Sequence, residues 1–151
     1  MPRSPHGTSR ERGVPGRLFV DSGAWLALVS ARDQHHAEAD TAFRTALAQR
    51  AALFTTNLIL AEVHRLLLFR AGPRAAASAL VRFESSDRLT IVFATEAHHR
   101  AAHAWLDRLG DQEISYTDAV SFAVMAATRC AAALSFDRDF EIAGFPLWRV
   151  G

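Results

Sequence analysis

Residues 18–29 read Leu18-Phe19-Val20-Asp21-Ser22-Gly23-Ala24-Trp25-Leu26-Ala27-Leu28-Val29. A short apolar run stopped by an acid, a hydroxyl and a glycine predicts a buried strand feeding a turn, then a short helix over Ala24–Val29. The same alternation continues outward. From His35 to Arg50 the chain is Ala-rich, with Ala39, Phe43, Ala46 and Leu47 at helical spacing. Ala52-Leu53-Phe54 predicts a second strand, and any of Thr55, Thr56 and Asn57 suits a helix cap. The helix after that cap runs to about Phe69 and stops at Gly72-Pro73, with Pro73 opening another that reaches Glu84. Leu89–Phe93 is β-branched and apolar and predicts a third strand, followed by a helix over Thr95–Leu109. Ser115-Tyr116-Thr117 opens a helix running from Asp118 to Arg129, and Ala131–Phe136 is a fourth strand. Pro146–Val150 predicts a fifth, at an edge where proline is tolerated. Strands alternating with helices predict an α/β protein, a three-layer α/β/α sandwich around a mostly parallel sheet.

Composition narrows the function. The chain has 151 residues, enough for one domain with its own core, and half of them are hydrophobic. Seventeen basic and 16 acidic residues leave a formal charge of +1, so no whole-molecule field points to a polyanion or a membrane. One cysteine, Cys130, excludes an intramolecular disulfide framework and any cysteine-rich metal site. It predicts a reducing compartment and a core position for the thiol. Residues 1–17 are polar, rich in Pro and Gly, and lack an apolar signal segment, so they predict a disordered N-terminal arm before a domain over 18–151. The most apolar stretch, Leu53–Phe69, is broken by Asn57, Glu62, His64 and Arg65. It predicts no membrane span, and with the rest a soluble cytoplasmic protein.

In open parallel sheets, ligands bind outside the carboxyl ends of the strands. Asp21 closes the first strand, Asp137 closes the fourth with Asp139 beside it, and Asp118 lies in the first turn of the helix between. Glu62 joins them from the helix after the second strand, where Leu58, Ile59 and Leu66 make its surroundings apolar. Each acid also has an ordinary reading. Asp21 suits a helix cap, Asp118 a helix dipole, Asp137 and Asp139 a turn, and Glu62 an ion pair with Arg65 one turn on. Crowded carboxylates raise one another's pKa and destabilise the protein unless a cation joins them. Hard oxygen donors suit Mg²⁺ or Mn²⁺, which activate water and stabilise a leaving oxygen in phosphodiester cleavage.

Val20-Asp21-Ser22-Gly23-Ala24-Trp25, residues 55–67, residues 115–125 and residues 134–145, in that order, resemble the PIN-domain ribonucleases. The resemblance is nearest to the VapC-like toxins of VapBC toxin–antitoxin pairs, and it spans Leu18 to Val150. It implies that Asp21, Glu62, Asp118 and Asp137 are the catalytic acids and bind Mg²⁺ or Mn²⁺, with Asp139 a neighbouring ligand. Ser22, Asn57, Ser115 and Thr117 flank them and suit ligand- or water-holding roles. The implied activity is metal-dependent endoribonuclease cleavage of single-stranded or looped RNA, with a cognate antitoxin as partner and a homodimer as assembly. Acids alone repel RNA, so arginines must lie near the site, and Arg65 and Arg138 are the best placed in sequence. An RNA-processing PIN nuclease without an antitoxin, and a PIN-fold binding module without activity, are the alternatives.

Other signals lead elsewhere. A haloacid-dehalogenase-type phosphotransferase needs a second acid two residues after the first, where this chain has Gly23. His98, His99 and His103 lack the glutamate of a zinc-protease helix and read as a solvated face. Residues 137–148 lack the glycine and terminal glutamate of a calcium loop. Leu66-Leu67-Leu68-Phe69 is apolar around more than one face and fits either a deeply buried helix or a subunit interface.

Overall fold

The computed structural model describes residues 16–149. Of the arm predicted for residues 1–17, only Gly16 and Arg17 fall among the described residues, and Arg17 already belongs to the first strand. The strands are β1 (Arg17–Val20), β2 (Ala52–Thr56), β3 (Leu89–Val92) and β4 (Ala132–Leu134). The helices are α1 (Ser22–Val29), α2 (His36–Ala48), α3 (Asn57–Ala71), α4 (Pro73–Glu84), α5 (Glu96–Arg108), α6 (Tyr116–Thr128) and α7 (Asp139–Ile142). The sheet order is β3-β2-β1-β4 and every pairing is parallel. Steps from β1 to β2 to β3 move one way across the sheet, and the step from β3 to β4 moves back past β1. Right-handed crossovers therefore put α1–α4 on one face and α5 and α6 on the other. The three-layer α/β/α sandwich with a parallel sheet is the fold that the sequence predicts.

Each layer is held by burial of the residues that the strand and helix patterns select. Leu18, Phe19 and Val20 of β1 are fully buried, as a central parallel strand covered on both faces requires. On the α1 side, Trp25 packs between Phe43 at 4.9 Å and Phe83 at 4.6 Å. Its indole N–H donates to the Thr55 hydroxyl, which donates in turn to the Val20 carbonyl, so a polar β2 residue is satisfied inside the core. On the other side, Phe122 meets Phe140, Phe145 and Trp105 at ring distances of 5.3–5.9 Å. Residues 119–125 of α6 are all buried, so this helix is enclosed on every face.

Two sequence expectations are corrected by the structure, and of two alternatives for a third segment one is removed. The segment predicted as a fifth strand, Pro146–Val150, contributes one parallel bridge, Leu147 to Ala133, and no strand among the described residues. Two backbone bonds define it: Ala133 donates to Pro146 at 2.9 Å and Trp148 donates to Ala133 at 2.8 Å. The fourth strand is shorter than the predicted Ala131–Phe136, because Ser135 and Phe136 turn away toward α7. The run Leu66–Phe69 is not deeply buried as a whole. Leu67 is 5% exposed, whereas Leu66, Leu68 and Phe69 are exposed, Phe69 at 77%.

The histidines of α5 are accounted for by local structure. Thr95 and His98 form a reciprocal cap: Thr95 N–H donates to His98 Nδ1, and His98 N–H donates to the Thr95 hydroxyl. His99 Nδ1 hydrogen-bonds the Tyr116 hydroxyl at 2.8 Å. Cys130 is buried beside Thr128, and that burial raises its thiol pKa. Among the described residues, no helix is long and apolar enough to cross a membrane.

Candidate metal centre

The order of strands reverses at β1, whose two neighbours are reached by crossovers in opposite directions. In such sheets, the crevice between the strands flanking the reversal is the ligand site. Here that crevice lies beyond Val20 of β1 and Leu134 of β4, and both strands end in acids: Asp21 follows the first and Asp137 the second. A depression of about 500 Å³ opens there, lined by Asp21, Ser22, Gly23, Phe136, Asp137 and Arg138.

Asp21 is only 5% exposed. It occupies the cap position of α1, yet its side chain makes no capping bond; Oδ2 instead accepts from the Ser135 hydroxyl at 2.9 Å. The helix-cap reading therefore fails. Burial is the main force that raises its pKa to about 6, opposed by hydrogen bonds from the Ser22 backbone and Ser135, and assisted by Asp137 and Glu62.

Asp118 is the third residue of α6. Ser115 caps that helix, its hydroxyl accepting from the Asp118 N–H at 3.1 Å, and this fixes the first turn. Burial again dominates and raises the Asp118 pKa to about 7. Asp21 adds to the rise, Ser115 opposes it, and Asp137 and Asp139 push the same way as Asp21. One carboxylate oxygen each of Asp118, Asp137 and Asp139 lies within 4.8 Å of the others. Asp139 is thus in the tightest set rather than at its margin, and its pKa is raised by burial first and by Asp137 next. Asp137 and Asp139 are also turn residues: Asp139 N–H donates to Asp137 Oδ1 at 2.9 Å at the start of α7.

Glu62 is half-buried on α3 and within electrostatic reach of Asp21, outside the tightest set. No ion pair joins it to Arg65 among the described residues, so the bland account of this acid also fails. Of the flanking polar residues, Ser22 lines the depression, Ser115 serves as the α6 cap, and the Thr117 carbonyl accepts from Ser121 within α6. Asn57 Oδ1 accepts from Ala94 N–H at 2.9 Å, tying the start of α3 to the end of β3. Arg138 borders the depression and Arg65 is exposed on α3.

Ser135 is not among the residues that the sequence singles out. It is fully buried, donates to Asp21 and accepts from the Asp137 N–H at 3.0 Å, so one hydroxyl fixes the acids at the ends of both strands. The Ser135-Phe136-Asp137 spacing, a hydroxyl two residues before an acid in a turn, is the signal that points to it. Arg149 is the other omission. Its guanidinium donates to the Ser135 carbonyl and sits over the Phe136 ring at 5.3 Å. Ser135→Ala is expected to leave the protein folded while weakening Mn²⁺ binding about 10- to 100-fold, read by calorimetric titration. Ser135→Thr, which keeps the hydroxyl, should bind nearly as the wild type does; equal affinity in all three would reduce Ser135 to packing.

The residues present fit a divalent cation. Oxygens around an ion at about 2.1 Å span about 4.2 Å at most, close to the spread of this set. The donors are carboxylates alone, hard oxygen ligands of the kind that suit Mg²⁺ or Mn²⁺. Burial raises the pKa values of Asp118 and Asp139, and of Asp21 beside them, so the ion-free cluster holds its charge at a cost.

Comparison with known proteins adds the lineage. The family model for the PIN domain matches residues 18–146. The chain is 39% identical over 129 residues to the 23S rRNA-specific endonuclease VapC20 of Mycobacterium tuberculosis, covering 85% of this chain and 95% of that one. The crystal structure of M. tuberculosis VapC20, described as a sarcin–ricin loop cleaving toxin, superposes with a TM-score of 0.78 at 34% identity, over 88% of this chain and 99% of that one. VapBC2 from Rickettsia felis, solved bound to a DNA fragment from its promoter, shares the fold at a TM-score of 0.66 and 15% identity, over 87% and 97% of the two chains.

Proposed function

Because the chain belongs to the PIN-domain family, we propose that it is a divalent-metal-dependent endoribonuclease, the toxin of a toxin–antitoxin pair. The observation that carries this reading is the set of Asp118, Asp137 and Asp139 oxygens within 4.8 Å, backed by buried Asp21, at the sheet's switch point. Asp118, Asp137 and Asp139 are the residues that would hold Mg²⁺ or Mn²⁺, with Asp21 and Glu62 completing the negative field. Such an ion supplies activation of water at neutral pH and neutralisation of charge on the phosphate.

The protein's own groups do the rest. Ser135 holds the Asp21 and Asp137 ends at a fixed separation, and the cap at Ser115 holds Asp118 against them. Preorganised carboxylates need no rearrangement as charge develops during cleavage. Arg138, at the mouth of the depression, offers a guanidinium to the phosphodiester.

The relative's substrate, a 23S ribosomal RNA, supports a ribosomal RNA loop as the target of this chain and a cytoplasmic site of action. The exposed Leu66, Leu68 and Phe69 face of α3 supports an assembly that covers it, either a homodimer or an antitoxin complex. The test is to incubate the purified chain with 23S RNA in Mg²⁺, Mn²⁺ or EDTA. The expected result is a cut at one position, leaving a 5′-phosphate and a 3′-hydroxyl, only where metal is present. Metal-independent cutting, or none in ribosomal, transfer or messenger RNA by protein that binds Mn²⁺, would reject the reading. Where nothing is cut, the PIN-fold binding module would take its place.

A further inference from the structure

A second cavity, of about 580 Å³, lies between the end of α1, the second half of α3 and one side of α4. Three arginines from three segments line it: Arg32 after α1, Arg70 at the end of α3 and Arg82 on α4. None of these side chains has a hydrogen-bond, ion-pair or ring partner among the described residues. Ser30 and Ser78 add hydroxyls, and Asp33 supplies the one carboxylate, its Oδ1 already accepting from the His35 N–H at 2.8 Å. The lining therefore carries three fixed positive charges against one negative.

A short stretch of chain links the cavity to the acidic crevice. Asp33 lines the first; two residues on, the His35 ring stacks on Phe136 at 4.2 Å, and Phe136 lines the second. The crevice itself gathers Asp21, Asp118, Asp137, Asp139 and Glu62, a field that repels a polyanion. A strand of RNA entering it needs compensating cations within a few nucleotides, and guanidinium groups match phosphate oxygens in charge and geometry.

We propose that Arg32, Arg70 and Arg82 form a phosphate-binding subsite that anchors the RNA backbone beside the acidic crevice. The proposal rests on the endoribonuclease reading and names where the substrate is held. Each arginine meets a phosphate without reading the base, so affinity here depends on salt and not on sequence.

The test measures binding alone. A fluorescein-labelled 20-nucleotide single-stranded RNA is titrated with the full chain in EDTA, by anisotropy, from 50 to 200 mM NaCl. The triple variant Arg32→Gln/Arg70→Gln/Arg82→Gln should bind at least about tenfold more weakly at 50 mM NaCl, with a salt slope smaller by about 2, near 0.7 for each phosphate no longer neutralised. Arg70→Gln alone should show about a third of that slope change, which covers the case of a misfolded triple variant. Arg44→Gln, which removes an arginine already paired with Asp40 at 2.9 Å, serves as the surface control and should not differ from wild type.

Unchanged affinity and slope in the triple and Arg70→Gln variants would overturn the subsite, while wild-type cleavage in Mn²⁺ would leave the nuclease reading standing. Arginine-dependent binding of polyglutamate without arginine-dependent binding of RNA would overturn it in favour of an acidic polypeptide. Wild-type protein that neither binds nor cuts RNA would remove both.

Discussion

Asp118→Asn is expected to reduce metal-dependent RNA cleavage at least about a thousandfold, equivalent to about 4 kcal/mol of lost transition-state stabilisation, while the protein stays folded. The loss should appear in kcat, with RNA affinity in EDTA unchanged or improved, because a charge that repels phosphate is gone. Asn keeps the size of the side chain and leaves the backbone N–H that donates to the Ser115 cap untouched. The less obvious half of the prediction concerns stability. The Asp118 carboxyl has a pKa of about 7 in the folded protein, raised first by burial and then by Asp21, against an ordinary value of 3.8. At pH 7.5 it is charged in both folded and unfolded chains, and only the folded one carries the burial and repulsion. Replacing it with a neutral amide should therefore leave the melting temperature of the metal-free protein equal to or above that of wild type. Asp21→Asn should behave alike, since an amide oxygen can still accept from Ser135. A variant that retains more than a tenth of wild-type cleavage would remove Asp118 from the site. A melting temperature several degrees lower would mean that the carboxylate is structural.

Much of this site is legible in the sequence because its acids sit where elements begin and end. Asp21 stops an apolar run, Asp118 follows a serine cap, and Asp137 follows the fourth strand; each position is set by local pattern, and the parallel topology brings them together. Ser135 and Asp139 are harder to read. Ser135 lies inside the segment assigned to a strand, and its importance depends on a bond to Asp21, 114 residues away. Asp139 gains its place from α7, a four-residue helix too short to show a periodicity. Arg149 acts on the site only because the Leu147 bridge lays the C-terminal segment along β4. The mistaken fifth strand has the same origin. The apolar residues of 145–148 have strand character, but only Pro146 O and Trp148 N reach Ala133, and pairing ends there. The convergence of Arg32, Arg70 and Arg82 is invisible in sequence for a related reason. They are 38 and 12 residues apart in a chain whose charge is almost balanced, so only the packing of α3 and α4 against α1 groups them.

Metal-free protein should become less stable as pH rises from about 4 to about 7, and Mn²⁺ should reverse this. Asp21 and Asp118 have folded pKa values of about 6 and about 7, and Asp139 is raised as well, all above the ordinary carboxylate value of 3.8. Between 3.8 and about 7 the folded chain therefore holds more protons than the unfolded one, and stability falls with pH across that window. The stabilisation is fully present below the unfolded pKa and is lost once pH passes the folded values. For a domain of this size the loss should lower the melting temperature by about 5 °C or more, given about 2–4 °C per kcal/mol. A bound cation requires the charged forms, so its affinity moves the opposite way and rises with pH up to about 7. Melting curves at pH 5 and pH 7.5, with and without Mn²⁺, separate these effects. The metal-induced rise should be small at pH 5 and large at pH 7.5, and calorimetry in buffers of different ionisation enthalpy should show proton release on binding near pH 6. In Asp21→Asn/Asp118→Asn, most of the downward slope with pH and most of the Mn²⁺ effect should disappear together. If the double variant keeps the wild-type slope, other groups set the pH dependence and the strain assigned to the acidic crevice is absent. If it loses the slope but keeps the Mn²⁺ effect, Asp137, Asp139 and Glu62 hold the ion on their own.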